Sequence, residues 1–188
     1  MKKGSIALLI VLTMIFSMIT VSAQEASGFK DVEEDHWAKD AIDLMTDKGI
    51  INGYDGYFRP DETVSRAEFA KMLVKTLDLE ETTPSTPYFS DVAISDWEYT
   101  YVESARNYLT GFTSGTGYRF KPDEASVRED MAVAVIKGLY DKGEVDDPNE
   151  TDISVLNGFS DEEDISSNLR KYVAAAINEG LMVGSNNS

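Results

Sequence analysis

Two arginines stand at expected helix starts, each with an acid two residues on: Arg66 with Glu68, and Arg128 with Asp130. A helix start already carries partial positive charge, so stability alone favours acids there and not arginine. Arginine makes sense at such a start if an anion arrives, because its planar fork meets a carboxylate with two parallel bonds and free helix-start amides add donors. Around them recur Asp31 and Asp91, Trp37 and Trp97, and Gly53 and Gly111. Aromatic rings can stack on sugar faces, and glycines permit close backbone approach. Each type also has a plain structural role. The tryptophans sit on an apolar stripe and either pack or line a groove, while Asp31 and Asp91 either cap a turn or meet a ligand. The arginines either pair with nearby acids or bind an anion. Glu68 and Asp130 suit helix capping, and Gly53 and Gly111 suit backbone necessity. No carboxylate pair is marked out at the separation that glycoside hydrolysis requires, so no catalytic residue is expected.

The elements that must position these residues come as a repeat. Phe29-Lys30-Asp31-Val32 returns as Phe89-Ser90-Asp91-Val92, sixty residues on, and Phe159-Ser160-Asp161 opens a third copy. In the first unit the pattern predicts a helix from about His36, capped by Asp35, with Trp37, Ala41, Leu44 and Met45 on one apolar stripe. Gly49 suits a left-handed helix end, and a turn-rich loop from Asn52 to Asp61 follows. A second helix is predicted from Ser65, where Ser65-Arg66-Ala67-Glu68 reads as a capping box, with Phe69, Met72, Leu73, Thr76 and Leu77 inward. The second unit repeats this: Trp97, Tyr101, Ala105 and Tyr108 form the stripe, and Ser126-Val127-Arg128-Glu129 is the expected cap. The third has one predicted helix, from Asn168 to Glu179, and then Gly180 to Gly184, which matches Gly49 to Gly53.

Composition sets the outer limits. The 188 residues carry a net charge of −17 and 42% hydrophobic residues, so the chain can build a core and offers nucleic acid no basic face. The absence of cysteine excludes disulfides and thiolate metal sites, and a single histidine, His36, leaves no His-rich site. No cofactor and no metal are expected. The acidic runs Asp146-Asp147 and Asp161 to Asp164 match no EF-hand loop. Residues 1–23 read as a secretory signal: Lys2 and Lys3, a largely apolar stretch from Ile6 to Ile19, and small residues at Val21-Ser22-Ala23. That stretch is shorter than the roughly 20 residues that span a bilayer. Its removal takes away two lysines, moving the charge from −17 to −19, and no stable membrane anchor is expected afterwards.

Phe-x-Asp-Val, the helix-opening Trp, Gly-Ile-Ile-x-Gly, Phe-x-Pro-Asp and Val-Ser-Arg-Ala-Glu occur in the order and spacing of S-layer homology domains. The chain resembles that family from about Phe29 to its end. The resemblance implies an all-α fold of helix-loop-helix repeats in a pseudo-threefold spindle: repeat 1 over 28–80, a linker over 81–88, repeat 2 over 89–142, an acidic linker over 143–157 and a partial repeat 3 over 158–188. It also implies a non-catalytic module of the cell wall and surface that binds secondary cell-wall polysaccharide or peptidoglycan, often through a pyruvate ketal, in grooves between repeats. By resemblance Arg66 and Arg128 meet the carboxylate. Asp31, Trp37, Gly53, Asp91, Trp97 and Gly111 line the grooves, and Glu68 and Asp130 orient nearby backbone. The alternative is the anchor segment of a larger exported carbohydrate-active enzyme or S-layer protein.

Two departures accompany the resemblance. Unit two reads Val127-Arg128-Glu129-Asp130 where the family more often has Thr-Arg-Ala-Glu, and unit three supplies no motif arginine. An unpaired half-unit leaves an apolar helix face open, so self-association through the third repeat is expected, or lower stability than in a chain extended by the missing helix.

Overall fold

The computed structural model describes residues 28–184 apart from residue 116, and the expected signal over 1–23 lies outside them. The described chain is mostly helical. In chain order it forms α1 (Lys39–Asp47), α2 (Arg66–Thr76), α3 (Tyr99–Ala105), strands β1 (Phe112–Ser114) and β2 (Gly117–Arg119), α4 (Arg128–Asp141) and α5 (Arg170–Asn178). Three 3-10 turns, at Pro148–Glu150, Ile153–Gly158 and Glu162–Asp164, lead from α4 to α5.

The expectation of helices alone needs one amendment. β1 and β2 pair antiparallel with Phe112 opposite Arg119. The loop of the first unit has only an isolated bridge between Tyr54 and Tyr57. Length explains the difference: eight residues separate Gly111 from Phe120, and four separate Gly53 from Phe58. Only the longer loop can hold three paired positions on each strand.

Among the described α-helices only α2 starts on a side-chain cap. Ser65 caps α2, its hydroxyl accepting from the Glu68 amide while Glu68 accepts from the Ser65 amide, as the capping box predicts. The expected caps of α1 and α4 do not form. α1 begins three residues later than predicted, after Ala38, whose amide donates to His36 Nδ1 at 3.2 Å and not to Asp35. α4 begins after Val127, which has no side chain to cap with, and Ser126 Oγ reaches back to the Ser65 carbonyl instead. α5 starts at Arg170, two residues inside the predicted range.

Packing runs from each unit to the next. α2 lies on α3 and α4 lies on α5, so the second helix of one unit covers the first helix of its successor. The first core joins Phe69, Leu73 and Val74 of α2, and Leu77 just past its end, to Tyr99, Val102 and Ala105 of α3, with Phe89 and Phe120 beneath. The second joins Ala132 and Ile136 of α4 to Leu156 and to Val173 through Ala176 of α5. α4 is shared, since Ala134 belongs to the first core. Gly138 lets α4 approach α2, because a Cβ there would collide with the Leu77 side chain. The segment 143–157 reaches the second core through Val145 and Leu156. Residues 82–88 are tied to α3: the Thr82 amide donates to Ser104 Oγ, Tyr99 Oη to the Pro84 carbonyl and the Tyr88 amide to buried Glu103.

α1 has no comparable packing partner among the described elements. Its buried positions are Lys39 and Ile42, whereas Ala41, Leu44 and Trp37 are exposed, Trp37 at 91%. The stripe read from the sequence is therefore real as a pattern and uncovered in the structure. The open apolar face expected at unit three lies instead on unit one, because α5 is packed against α4 and the 3-10 turns.

Candidate functional site

A shared piece of loop architecture builds both candidate sites. The Asp31 carboxylate accepts from the amides of Phe58 at 2.8 Å and Arg59 at 2.7 Å. Asp91 does the same for Phe120 at 2.7 Å and Lys121 at 2.9 Å. These bonds have a local purpose. Arg59 and Lys121 are left-handed, at φ 63 and 60°, a conformation that strains a residue with a side chain and needs outside support. Burial raises the Asp31 carboxyl, but the bonds from Phe58 and Arg59 outweigh it and leave the group below the usual carboxylate range.

The glycines belong to the same architecture. A Cβ on Gly53 would strike the Phe29 ring and the Tyr57 carbonyl, and one on Gly111 would come within 2.5 Å of Phe89 Cε1. Gly184 stands against Phe159 in the same way. Each Phe-x-Asp phenylalanine therefore packs on the glycine at the loop entrance of its own unit. None of the three glycines needs a positive φ.

Arg66 is 3% exposed and held within the protein. Its Nε donates to the Phe120 carbonyl at 2.9 Å, Nη2 to the Thr110 carbonyl at 2.5 Å and Nη1 to Asp130 at 3.1 Å. The guanidinium also lies over the rings of Phe112 and Phe120, at 4.9 and 4.8 Å. Burial pulls Arg66 below the ordinary arginine value, while Asp130 opposes the shift. Main-chain bonds continue the contact: the Arg66 amide donates to Glu124 O, that of Ala67 to Pro122 O and that of Ser126 to Val64 O. Arg128 makes the corresponding reach into unit three, Nη2 to the Val183 carbonyl at 2.8 Å, but is exposed there.

Two grooves result. The first, about 430 Å³, lies between Asn52, Gly53, Tyr54 and Arg59 on one side and Glu68, Lys71 and Trp97 on the other. The second, about 450 Å³, lies between Thr110, Gly111 and Phe112, the side chains of Val127, Glu129 and Asp130 around the start of α4, and Ser166 and Asn168 of unit three. Trp97 and Asn168 hold the same place before α3 and α5, so only the first groove has an indole wall. Charge separates them further. Arg59 and Lys71 balance Glu62 and Glu68 in the first, whereas Arg66 faces Glu124, Glu129 and Asp130 in the second. The Asn52 amide is satisfied with its oxygen toward Lys71 Nζ at 3.3 Å.

Of the residues singled out in the sequence, Gly53, Glu68 and Trp97 meet at the first groove, and Arg66, Gly111 and Asp130 at the second. Asp31 and Asp91 bind the loops behind them. Trp37 and Arg128 line neither groove. Sequence reasoning missed Tyr54, Arg59 and Lys71. A signal for Arg59 was present in the Phe-x-Pro-Asp motif, whose variable position is basic in both units, Arg59 and Lys121.

The geometry defines a class: mostly helical units that clasp their successors through an arginine at a helix start and leave grooves at each junction. The S-layer homology domain model matches residues 28–70. An amylopullulanase of Thermoanaerobacterium thermosulfurigenes is 34% identical over 161 residues, which cover 85% of this chain and 8% of that protein. Exoglucanase XynX of Acetivibrio thermocellus is 32% identical over 83% of the chain and 14% of its own length. The S-layer protein sap of Bacillus anthracis is 32% identical over 72% of the chain and 17% of its own length. Residues 28–70 belong to the S-layer homology domain family, whose setting is the bacterial cell surface or wall, and the stretch matched in each of these relatives is under a fifth of that relative's length. Among the described residues no helix is long and apolar enough to cross a membrane.

Proposed function

We propose that this chain is a non-catalytic module that attaches to the bacterial envelope by binding secondary cell-wall polysaccharide in its inter-unit grooves. One observation carries the reading. Proteins with names as unlike as amylopullulanase, exoglucanase and S-layer protein share this stretch while it makes up only a small part of each, so the shared part serves what they have in common and not their separate activities. The units are taken to surround a pseudo-threefold axis, each with a second helix on the next unit's first.

Within that reading the first groove is the better saccharide site. Trp97 and Tyr54 offer ring faces, and Arg59 and Lys71 offer donors to an anionic substituent such as a pyruvate ketal carboxylate. Gly53 and Glu68 shape its floor. In the second groove Arg66, Gly111 and Asp130 form a wall, with the arginine's charge spent on Asp130. Asp31 and Asp91 hold the loops, and Arg128 begins a third junction toward which Trp37 would turn. The small share of each relative that is matched also favours a second reading, in which this stretch is the anchor of a larger exported carbohydrate-active enzyme or S-layer protein.

The test is cosedimentation of the exported protein with Gram-positive cell walls, intact and stripped of secondary polysaccharide. Retention should disappear on stripping and fall about tenfold in Trp97→Ala and in Arg59→Gln, a loss of about 1.4 kcal/mol. Both residues are at least partly exposed, so neither change should unfold the chain. Equal retention on stripped walls, or undiminished retention by both variants, would remove the proposal.

A further inference from the structure

Among the described residues the second groove is crossed by a bond that has no counterpart in the first. Glu129, in the first turn of α4, accepts from the Ser166 amide at 2.9 Å and from Ser166 Oγ at 3.0 Å. The two residues line different walls of that groove, so the start of α4 and the turn before α5 are joined across it. Position by position the first groove differs. Ala67 follows Arg66 as Glu129 follows Arg128, and its methyl has nothing to offer a facing turn. The turn before α3 is closed from within, Asp96 accepting from the Ala93 amide at 2.7 Å. Before α5 the matching residue is Ser167, which brings no carboxylate, and the turn takes one from α4 instead.

From this contrast we infer that Glu129 determines specificity: it keeps an anionic saccharide out of the second groove, so that the two grooves together hold one saccharide end and not two. It acts in two ways. The Ser166 amide and hydroxyl are donors on the unit-three wall, and both are spent on the carboxylate before a sugar can use them. The carboxylate also adds to Glu124 and Asp130, so three acids face Arg66, whose own charge is bonded to Asp130. An acid substituent arriving there meets like charge, which turns a partner away. In the first groove two cations, Arg59 and Lys71, stand against two acids, Glu62 and Glu68, and Trp97 adds a ring where the second has Asn168. The inference rests on the saccharide reading and narrows it to one groove, with one residue setting the choice.

The probe is a methyl glycoside bearing a pyruvate ketal, and equilibrium dialysis against the full exported chain counts sites at saturation. The wild type should take up one equivalent. Glu129→Ala, which gives the second groove the alanine of the first, should take up two, the second about tenfold more weakly because Asn168 offers no ring. Glu129→Gln keeps an acceptor for Ser166 but loses the charge, so it should also take up a second equivalent, more weakly than Glu129→Ala does. Glu129 is partly exposed and lies outside both cores, so circular dichroism should show both variants folded. Two equivalents on the wild type, or a single equivalent on folded Glu129→Ala and Glu129→Gln, would overturn the inference and leave the saccharide reading standing. No uptake by the wild type would sink the saccharide reading and this inference with it.

Discussion

The two grooves are built from the same loop and the same helix start, yet one is wired shut at its charge and the other is not. In the second groove Arg66 arrives from the preceding unit and is consumed by Asp130, two carbonyls and two rings. In the first, no arginine of another unit arrives among the described residues, and the cations are the groove's own Arg59 and Lys71. A repeated motif therefore does not imply a repeated function. Arginine at a helix start can be a clasp between units or a ligand contact, and what decides is whether the next unit offers a carboxylate and bare carbonyls to receive it.

The comparison breaks most sharply at the arginines themselves. Arg66→Ala leaves Asp130 without its partner in a part-buried junction and strips donors from two carbonyls, and breaking such a buried pair costs about 3–5 kcal/mol. Arg128→Ala, at an exposed position with a single bond to Val183, should cost under about 1 kcal/mol. Thermal and urea unfolding of both variants would check this. Equal losses would mean that Arg66 is no more a clasp than Arg128.

The glycines sharpen the comparison at a smaller scale. Gly53→Ala and Gly111→Ala each force a methyl against a phenylalanine ring, and overpacking of this kind costs about 1–3 kcal/mol. Gly53 should be the worse of the two, because its Cβ would also strike the Tyr57 carbonyl, whereas at Gly111 the nearest backbone atom, Arg119 O, is 3.2 Å away. Paired melting curves decide the order. At the helix starts, Ser65→Ala removes a complete capping box and should cost about 1 kcal/mol. Ser126→Ala loses only a 3.4 Å contact to the Ser65 carbonyl and should be close to neutral.

Much of this difference is legible in the sequence, and the part that is not has a physical reason. The Ser65 capping box depends on four consecutive residues, so the sequence shows it whole. Phe69, Leu73 and Leu77 could be placed inward because helical spacing alone sets the face of α2. The fate of Arg66 could not be read, since its partners Thr110, Phe120 and Asp130 lie 44 to 64 residues away. The stripe of α1 failed for a similar reason. Periodicity reports which side of a helix is apolar, but whether another helix covers that side is a fact about the neighbouring unit. Unit three gave the same lesson in reverse, its first helix being covered by α4.

The finest distinction between the two loops concerns the carboxylates that hold them. Asp91 has a further partner in Arg119 Nε at 3.4 Å, while Asp31 relies mainly on the amides of Phe58 and Arg59. For Asp31 the folded chain holds the carboxyl below its unfolded value, despite a desolvation contribution in the other direction. Such a group stabilises the fold fully above its unfolded pKa of about 4 and loses that contribution as pH falls through the lower folded value. Asp31→Asn cannot titrate, so it should be less stable than the wild type near neutrality, and the gap should narrow progressively below about pH 4. Unfolding midpoints measured from pH 7 downward would show two curves converging on the acid side. Parallel curves would mean that the Asp31 charge contributes nothing to holding Arg59 in its left-handed turn, and that the bonds to Phe58 and Arg59 serve equally well with a neutral acceptor.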